Sequence, residues 1–160
     1  MTVERVFPVR ASTAADFSKV RDLLASARLP IEDLNVAPGL RFWVAEDQDQ
    51  VVGVVGLEAR GPAALLRSLV VAPSHRQYGL GSSLTATLER EARATGIEVL
   101  VLLTETAEAF FKRRGYQVIE REQVPAKIKQ SAEFQSLCPA SAICMTKSLQ
   151  SIPGVVVSRE

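Results

Sequence analysis

The sequence has few of the residues that build metal centres and disulfide frameworks. It contains one histidine and two cysteines among 160 residues. Cys138 and Cys144 lie six positions apart with no CxxC pattern, so neither a disulfide framework nor a four-ligand zinc site can be assembled from them. We expect two reduced, partly buried thiols and no metal site. We expect the histidine, His75, to be a solvated loop residue rather than a catalyst.

The sequence also lacks an excess of charge and any long apolar run. Lys plus Arg total 19 and Asp plus Glu total 18, so the net charge of +1 gives no broad field favouring nucleic acid or an anionic membrane. The longest aliphatic run, VLVLL at 99–103, is far shorter than the roughly 20 residues of a membrane-spanning helix. The first ten residues carry Glu4, Arg5 and Arg10 and do not resemble a secretory signal. We expect a cytoplasmic protein that binds neither nucleic acid nor a membrane.

What the sequence does have is an alternation of strand and helix patterns. A length of 160 residues with 47% hydrophobic content suits one domain, which we place at 1–150, followed by a loosely attached tail at 151–160. The patterns follow the order β α (α) β β β α β α β α β, with VVGVVGLEA and AALLRSLVVA forming a hairpin, GYQVIE a strand and residues 125–134 a helix. This order predicts a single α/β domain, with a mixed, mostly antiparallel sheet of about seven strands and helices on both faces.

A glycine pair marks the junction between the second hairpin strand and the next helix. In SHRQYGLGSSL, residues 74–84, Gly79 and Gly81 precede a helical pattern, and such glycines let an anion approach unpaired backbone N–H groups. A P-loop would need a lysine after the second glycine, where this chain has two serines. A dinucleotide-binding loop would need a third glycine at Leu84, with Glu105 as the candidate ribose acid. A tight loop without a ligand, in which Gly81 eases helix packing, is a further interpretation.

The wider arrangement resembles the acetyl-CoA-binding segment of the GCN5-related N-acetyltransferases (GNAT). Arg76, Gly79 and Gly81 in RSLVVAPSHRQYGLGSSL match the Q/RxxGxG/A signature of that family, and TETAEAFFKRRGY stands where the family has NxxAxxLYxxxGF. Thr104 takes the Asn position of this second motif, and Phe111 takes the Tyr position. The run at 124–149 is similar to the small acetyltransferases found with arsenic-resistance genes, which are related to amino-acid acetyltransferases of the N-acetylglutamate synthase type.

The resemblance implies acetyl-CoA as the cosubstrate. The amides of the loop would hold the pyrophosphate of coenzyme A, and the preceding strand would pair with the pantetheine arm. The N–H near Leu69 would face the thioester oxygen. The implied cofactor-binding residues are Leu69, Val70, Val71, Arg76, Gln77, Tyr78, Gly79, Leu80, Gly81, Ser82, Thr104 and Phe111.

The chain departs from the family pattern where protons must be transferred. Many relatives place a glutamate base at the position of Leu65. Counting across the predicted hairpin turn places Glu58 opposite Leu65, with Arg67 on the same sheet face. We predict Glu58 as the base and Arg67 as its partner or as the partner of a substrate carboxylate. A purely structural ion pair and a water relay are the alternatives. With Phe111 at the tyrosine position, we predict no dedicated side-chain acid.

The predicted function is transfer of an acetyl group from acetyl-CoA to the primary amine of a small, amino-acid-like molecule, by direct attack in a ternary complex. A catalytically silent acetyl-CoA-binding sensor or regulatory module is the alternative, because the glutamate and tyrosine of the family pattern are absent. The sequence does not identify the acceptor, decide between monomer and homodimer, or show whether the cysteines bind arsenic compounds.

Overall fold

The computed structural model describes residues 6–137 and 140–150, apart from the side chains of residues 136 and 137. The seven strands are β1 Val9–Ala11, β2 Leu40–Asp47, β3 Gln50–Arg60, β4 Ala63–Val71, β5 Val99–Thr104, β6 Gln117–Val118 and β7 Ile143–Ser148. They form one sheet in the order β1-β2-β3-β4-β5-β7-β6. The pair β4 and β5 is parallel and the other pairs are antiparallel. The predicted mixed, mostly antiparallel sheet is confirmed.

Helices cover both faces of this sheet. They are α1 Phe17–Ser26, α2 Leu80–Ala94, α3 Glu108–Lys112 and α4 Ala126–Lys129. On α2 the buried positions Leu80, Leu84, Leu88 and Ala92 recur every fourth residue and face the largest apolar cluster. On the opposite face, α1 and α4 each cover a separate apolar cluster. The predicted helices on both faces are therefore confirmed.

The hairpin that positions the site has the predicted turn. Arg60 ends β3, Ala63 begins β4, and Gly61 has a φ of +69°, a left-handed conformation that glycine adopts without steric cost. Because side chains alternate between the two faces of a strand, this turn decides which residues of β3 and β4 share a face.

The segment after β6 differs from its predicted form. The helix expected at 125–134 is broken into α4 and a π-helical turn, Glu133–Leu137. The Ser131 hydroxyl accepts a hydrogen bond from the Phe134 N–H at 3.2 Å, which offers the backbone a local alternative to a continuous helix. The strand expected in GYQVIE is reduced to two residues, Gln117–Val118. None of the helices in the described parts of the chain has the length and apolar character of a membrane span.

Candidate active site

A cleft opens where two neighbouring strands stop pairing. The parallel strands β4 and β5 pair only from Ala63 with Val99 to Leu65 with Val101, although both strands continue further. Beyond this point lies a cleft of about 660 Å³. Backbone groups that leave a ladder in this way are available to an extended ligand. The cleft is lined by the far halves of both strands, by residues 27–32 after α1, by residues 104–107, and by Phe111 and Glu133.

A β-bulge lies in the part of β4 that lines this cleft. β4 has two residues, Ser68 and Leu69, where β3 has one, Val55. Ser68 has a φ of +61°, a left-handed conformation that is strained for any residue other than glycine. A bulge interrupts the regular ladder and changes the direction of the backbone groups beside it. A serine within a strand pattern gave no sequence signal of this feature.

The glycine loop connects β4 to the N-terminus of α2. Pro73–Tyr78 form a 3₁₀ turn, and Gly79 follows as the N-cap of α2 with a φ of +72°. A Cβ at Gly79 would meet nothing within 4 Å, so the backbone conformation alone requires glycine there. A Cβ at Gly81 would lie 3.3 Å from the Phe110 ring. Because the first amides of a helix have no helical partners, this loop presents N–H groups and a partial positive charge to an anion.

Two arginines lie near this loop, and the sequence analysis identified only one of them. Arg76 is exposed, and its Nε donates to the Val71 carbonyl at 3.1 Å. Arg114 donates to Ser82 Oγ and, at 2.9 Å, to the Phe110 carbonyl. Its guanidinium lies 3.7 Å from the centroid of the Phe110 ring. Arg114 therefore adds positive charge beside the first turn of α2. Its only sequence signal was the basic run KRR.

Two other predicted cofactor residues line the cleft. Thr104 Oγ1 accepts a hydrogen bond from the Ala107 N–H at 3.0 Å and so caps the turn that leads into α3. Phe111 is buried, and its ring centroid lies 5.2 Å from that of Tyr116. Tyr116 is also buried and donates its hydroxyl to Glu89 at 2.8 Å. Tyr116 is thus a core residue.

The remaining predicted cofactor residues lie outside the cleft wall. Val70 packs in the apolar cluster beneath α1, and Leu80 packs beneath α2. Val71, Tyr78 and Ser82 are half-buried, and Gln77 is exposed on the 3₁₀ turn.

The predicted Glu58–Arg67 pair is present within a larger buried cluster. Glu58 lies opposite Leu65 as predicted, and Arg67 Nη1 donates to Glu58 Oε1 at 3.1 Å. Both terminal nitrogens of Arg67 also bind Asp33, at 2.6 and 2.8 Å. Arg67 Nε lies 3.1 Å from Glu133 Oε1. The side chains of Glu58 and Arg67 have no exposed surface. One guanidinium therefore faces three carboxyl groups.

Burial disfavours the charged form of both Glu133 and Arg67, but the net effect on the two residues differs. Burial raises the pKa of Glu133 to about 7, against the lowering effect of the Arg67 charge and with the help of the Asp33 and Glu58 charges. Burial also disfavours the charged form of Arg67. The hydrogen bonds that Arg67 donates to Asp33 and the charges of Glu133 and Asp33 outweigh that effect, so the pKa of Arg67 is raised above its ordinary value. Arg67 therefore stays charged, and the pKa of Glu133 lies close to neutral pH.

Glu133 is the member of this cluster that lines the cleft. The second oxygen of Glu58, Oε2, accepts a hydrogen bond from Arg60 Nε at 3.0 Å. Neither Asp33 nor Glu133 was predicted from the sequence as a site residue. Each lies in an irregular segment that only tertiary packing brings to the sheet, and the short acidic stretch IEDLN was the single hint of Asp33.

The expectation of a solvated histidine is wrong. His75 is half-buried, with Nε2 2.8 Å from Asp47 Oδ2 and its ring packed against Phe7 at 5.2 Å between centroids. This contact joins the 3₁₀ turn to the end of β2. Cys144 is a buried free thiol in β7, and burial raises its pKa to about 11. Cys138 and the predicted tail at 151–160 lie outside the described residues.

Comparison with known sequences identifies one family. Residues 38–118, about half of the chain, match the model of the acetyltransferase (GNAT) domain. An uncharacterised N-acetyltransferase of Chlorobaculum tepidum is 33% identical over 104 residues, which are 64% of this chain and 64% of that protein. An amino-acid acetyltransferase of Pseudomonas fluorescens is 32% identical over 88 residues, which are 54% of this chain but only 20% of that protein. The chain thus spans about a fifth of this second relative.

Solved structures agree on the fold. N-acetylglutamate synthase from Neisseria gonorrhoeae, complexed with coenzyme A and N-acetyl-glutamate, superposes with a TM-score of 0.78 at 18% identity, over 93% of this chain and 36% of that one. Rv2747 from Mycobacterium tuberculosis, in complex with CoA, superposes with a TM-score of 0.74 at 25% identity, over 89% of this chain and 99% of that one. The family predicted from the sequence is confirmed, and the chain belongs to the GNAT acetyltransferases.

Proposed function

We propose that this chain transfers an acetyl group from acetyl-CoA to the primary amine of a small, amino-acid-like acceptor. The observation that carries the proposal is that β4 connects the cleft directly to the glycine loop. The strand leaves β5 after Leu65, bulges at Ser68, and ends in the glycine loop at the N-terminus of α2. One stretch of chain thus offers an anion site at one end and a cleft for chemistry at the other.

The residues present suit coenzyme A. The amides between Arg76 and Ser82 would hold the pyrophosphate, with Arg76 and Arg114 supplying charge at the loop. The backbone of Leu69–Val71 would pair with the pantetheine arm, and Thr104 and Phe111 would line its path. When bound, acetyl-CoA supplies the acetyl group as an activated thioester. The Leu69 N–H, released from the regular ladder by the bulge, would stabilise negative charge on the thioester oxygen.

The acceptor would enter beside the segment that follows α1. Arg28 lines this part of the cleft, is exposed, and forms no ion pair within the described residues. A free guanidinium at the rim suits a substrate carboxylate. Arg67, which we predicted for that role, already donates to Asp33 and Glu58 and has no exposed side-chain surface. The relatives named amino-acid acetyltransferases support an amino-acid-like acceptor.

Calorimetric titration with acetyl-CoA, and with NAD and ATP as controls, tests the first half of the proposal. We expect selective binding of acetyl-CoA that Gly79→Ala weakens about tenfold, because an alanine strains the left-handed turn by about 1–2 kcal/mol and disturbs the amides beside it. Gly96→Ala is the matched control, since Gly96 has a φ of +89° and also has open space at its Cβ position. Equal loss in both variants, or equal binding of NAD, would contradict the assignment.

A panel of the twenty amino acids and simple primary amines tests the second half, with release of free CoA as the readout. Acetylation of at least one amine is expected. The alternative function, an acetyl-CoA-binding module without catalysis, is favoured by one observation: both oxygens of Glu58 are held by arginines. Tight acetyl-CoA binding with no acetylation of any amine would establish that alternative.

A further inference from the structure

We propose that Glu133 is the general base that deprotonates the acceptor amine. This inference rests on the proposed acetyl transfer. It replaces Glu58, the base predicted from the sequence, with a residue that lies much later in the chain, in the segment after β6.

The position of Glu133 is the first argument. It lines the same cleft as Ser68 and Leu69, where the acetyl group would lie. It begins the π-helical turn Glu133–Leu137, and such turns recur at functional sites. Its exposed fraction is only 3%, so a proton taken up there is shielded from bulk water. The carboxyl group is therefore placed to meet an amine inside the cleft.

The contacts of Glu133 are the second argument. Its Oε1 meets Arg67, and within the described residues no other group binds this carboxyl group. Glu58 differs, because its two oxygens accept hydrogen bonds from Arg67 and from Arg60, and it does not line the cleft. Both carboxylate oxygens of Glu58 are therefore already occupied by guanidinium donors. Of the two glutamates, Glu133 has the oxygen available for a proton.

The charges around Glu133 are the third argument. Arg67 faces it from β4, Asp33 from the segment after α1, and Glu58 from β3. With Arg60 included, three carboxyl groups share two guanidinium groups when all are ionised. The excess negative charge favours entry of an ammonium group. It also favours a proton on Glu133, whose pKa of about 7 suits a base that works near neutral pH.

The proton transfer is balanced within the cleft. One N–H bond of the substrate ammonium breaks, its electron pair stays on nitrogen, and an O–H bond forms on Glu133. The neutral amine nitrogen then forms a C–N bond with the acetyl carbon, the C–S bond of the thioester breaks, and the thiolate leaving group takes a second proton from nitrogen. Glu133 returns its proton to solvent. The net result is one acetylated amine, one thiol and one released proton. Asp33, Arg67 and Glu58 act as positioning residues that fix Glu133 and its charge.

Two readouts test this inference. In the first, ¹³C-carboxyl NMR of glutamate-labelled protein, assigned with Glu133→Gln, should show one carboxyl group titrating at about 7 in the free protein. In the second, kcat/KM for an acetylated amine is measured against pH. Wild type should rise with pH up to about 7 and then level off, and Glu133→Gln should lose this limb and fall at least about 100-fold near neutral pH. Acetyl-CoA affinity, measured by calorimetry, should change less than about twofold.

Matched variants identify the base. Glu122→Gln removes an exposed carboxylate from the same segment and should behave as wild type, whereas Glu133→Asp should recover part of the lost rate. Far-UV circular dichroism verifies the fold of each variant. Loss of the pH limb in Glu58→Gln, with the limb kept in Glu133→Gln, would overturn the inference in favour of Glu58. An active wild type with an unchanged Glu133→Gln would overturn it alone. A wild type that acetylates no amine would overturn the proposed function as well.

Discussion

Two clusters of arginine and carboxylate side chains, one at the sheet edge and one beneath the cleft, differ in burial. At the edge of the sheet, Arg10 of β1 binds Asp16 at 2.8 and 2.9 Å and Glu46 at 2.9 Å, with 37% of its side chain exposed. Beside the cleft, Arg67 binds its carboxyl groups with no exposed side-chain surface. The edge cluster fixes the capping box in which Asp16 accepts from the Thr13 N–H at 2.7 Å.

The difference shows how burial decides what the same residue types do. The hydrogen bond from Arg10, followed by that of the Thr13 N–H, lowers the pKa of Asp16, so this carboxylate stabilises the fold in its ionised form. Burial raises the pKa of Glu133, so ionising this carboxyl group works against the fold. The first arrangement stabilises structure. The second keeps a proton acceptor ready at a cost in stability, as is common at functional sites.

The largest effect should come from removing the two arginines in turn. Arg67→Leu leaves buried carboxyl groups without a partner and should lower the free energy of unfolding by about 3–5 kcal/mol. Arg10→Leu acts on a partly exposed pair and should cost about 1 kcal/mol or less. Urea unfolding of both variants measures the difference. Similar losses would show that the buried cluster is no more demanding than the exposed one.

The two clusters should also give stability opposite dependences on pH. The pKa of Glu133 is raised, so wild type should lose up to roughly 3 kcal/mol relative to Glu133→Gln as the pH rises from about 4.5 to about 7. The pKa of Asp16 is lowered, so its contribution is present above about pH 4 and is lost as the pH falls below its unfolded pKa. Asp16→Asn should therefore be less stable than wild type near neutral pH and approach it in acid. Thermal unfolding between pH 3 and 8 measures how the stability difference between wild type and each variant changes with pH. The same direction of change for both variants would contradict this prediction.

The smallest effect concerns a third arginine, which has no carboxylate partner among the described residues. Arg28 follows α1 with a φ of +60°, and the Leu29 N–H binds the Leu24 carbonyl at 3.0 Å, the helix-ending arrangement in which glycine is usual. Arg28→Gly should raise stability by up to about 1 kcal/mol, because glycine relieves the strain. The KM for an acceptor with a carboxylate should rise about tenfold while kcat is kept. A lower stability, or an unchanged KM, would remove Arg28 from substrate recognition.

Local patterns were enough to predict the hairpin and the pair within it. The tight turn after Arg60 and the alternation of strand side chains placed Glu58 opposite Leu65 and beside Arg67, as the structure shows. The glycine loop was predictable because its spacing is a property of a few consecutive residues. The order of strands and helices likewise predicted the sheet.

Features that depend on tertiary packing could not be predicted from local sequence patterns. Asp33 and Glu133 lie far from Glu58 in the sequence, and no periodicity signals that loops will carry them to Arg67. The bulge at Ser68 depends on how β4 pairs with β3, and serine is not a residue type that favours a positive φ. The burial of His75 follows from contacts with Asp47 and Phe7 on other elements. The glycine loop and the Glu58–Arg67 half of the ion cluster were thus predictable from the sequence, and Asp33 and Glu133 were not.

The extra residue at the bulge has a consequence for the phase of β4. Upstream, Leu65 and Arg67 point to the face covered by α1 and α4; downstream, Val70 points to that same face, although it stands an odd number of positions away. The extra residue at Ser68 shifts by one position the alternation of β4 side chains between the two faces of the sheet. One continuous strand therefore carries the buried ionic cluster before the bulge and, under the proposed function, the backbone that would face coenzyme A after it. Deleting a single residue there would restore regular alternation along β4. Arg67 and Val70 could then no longer keep the side-chain and backbone directions that they have now.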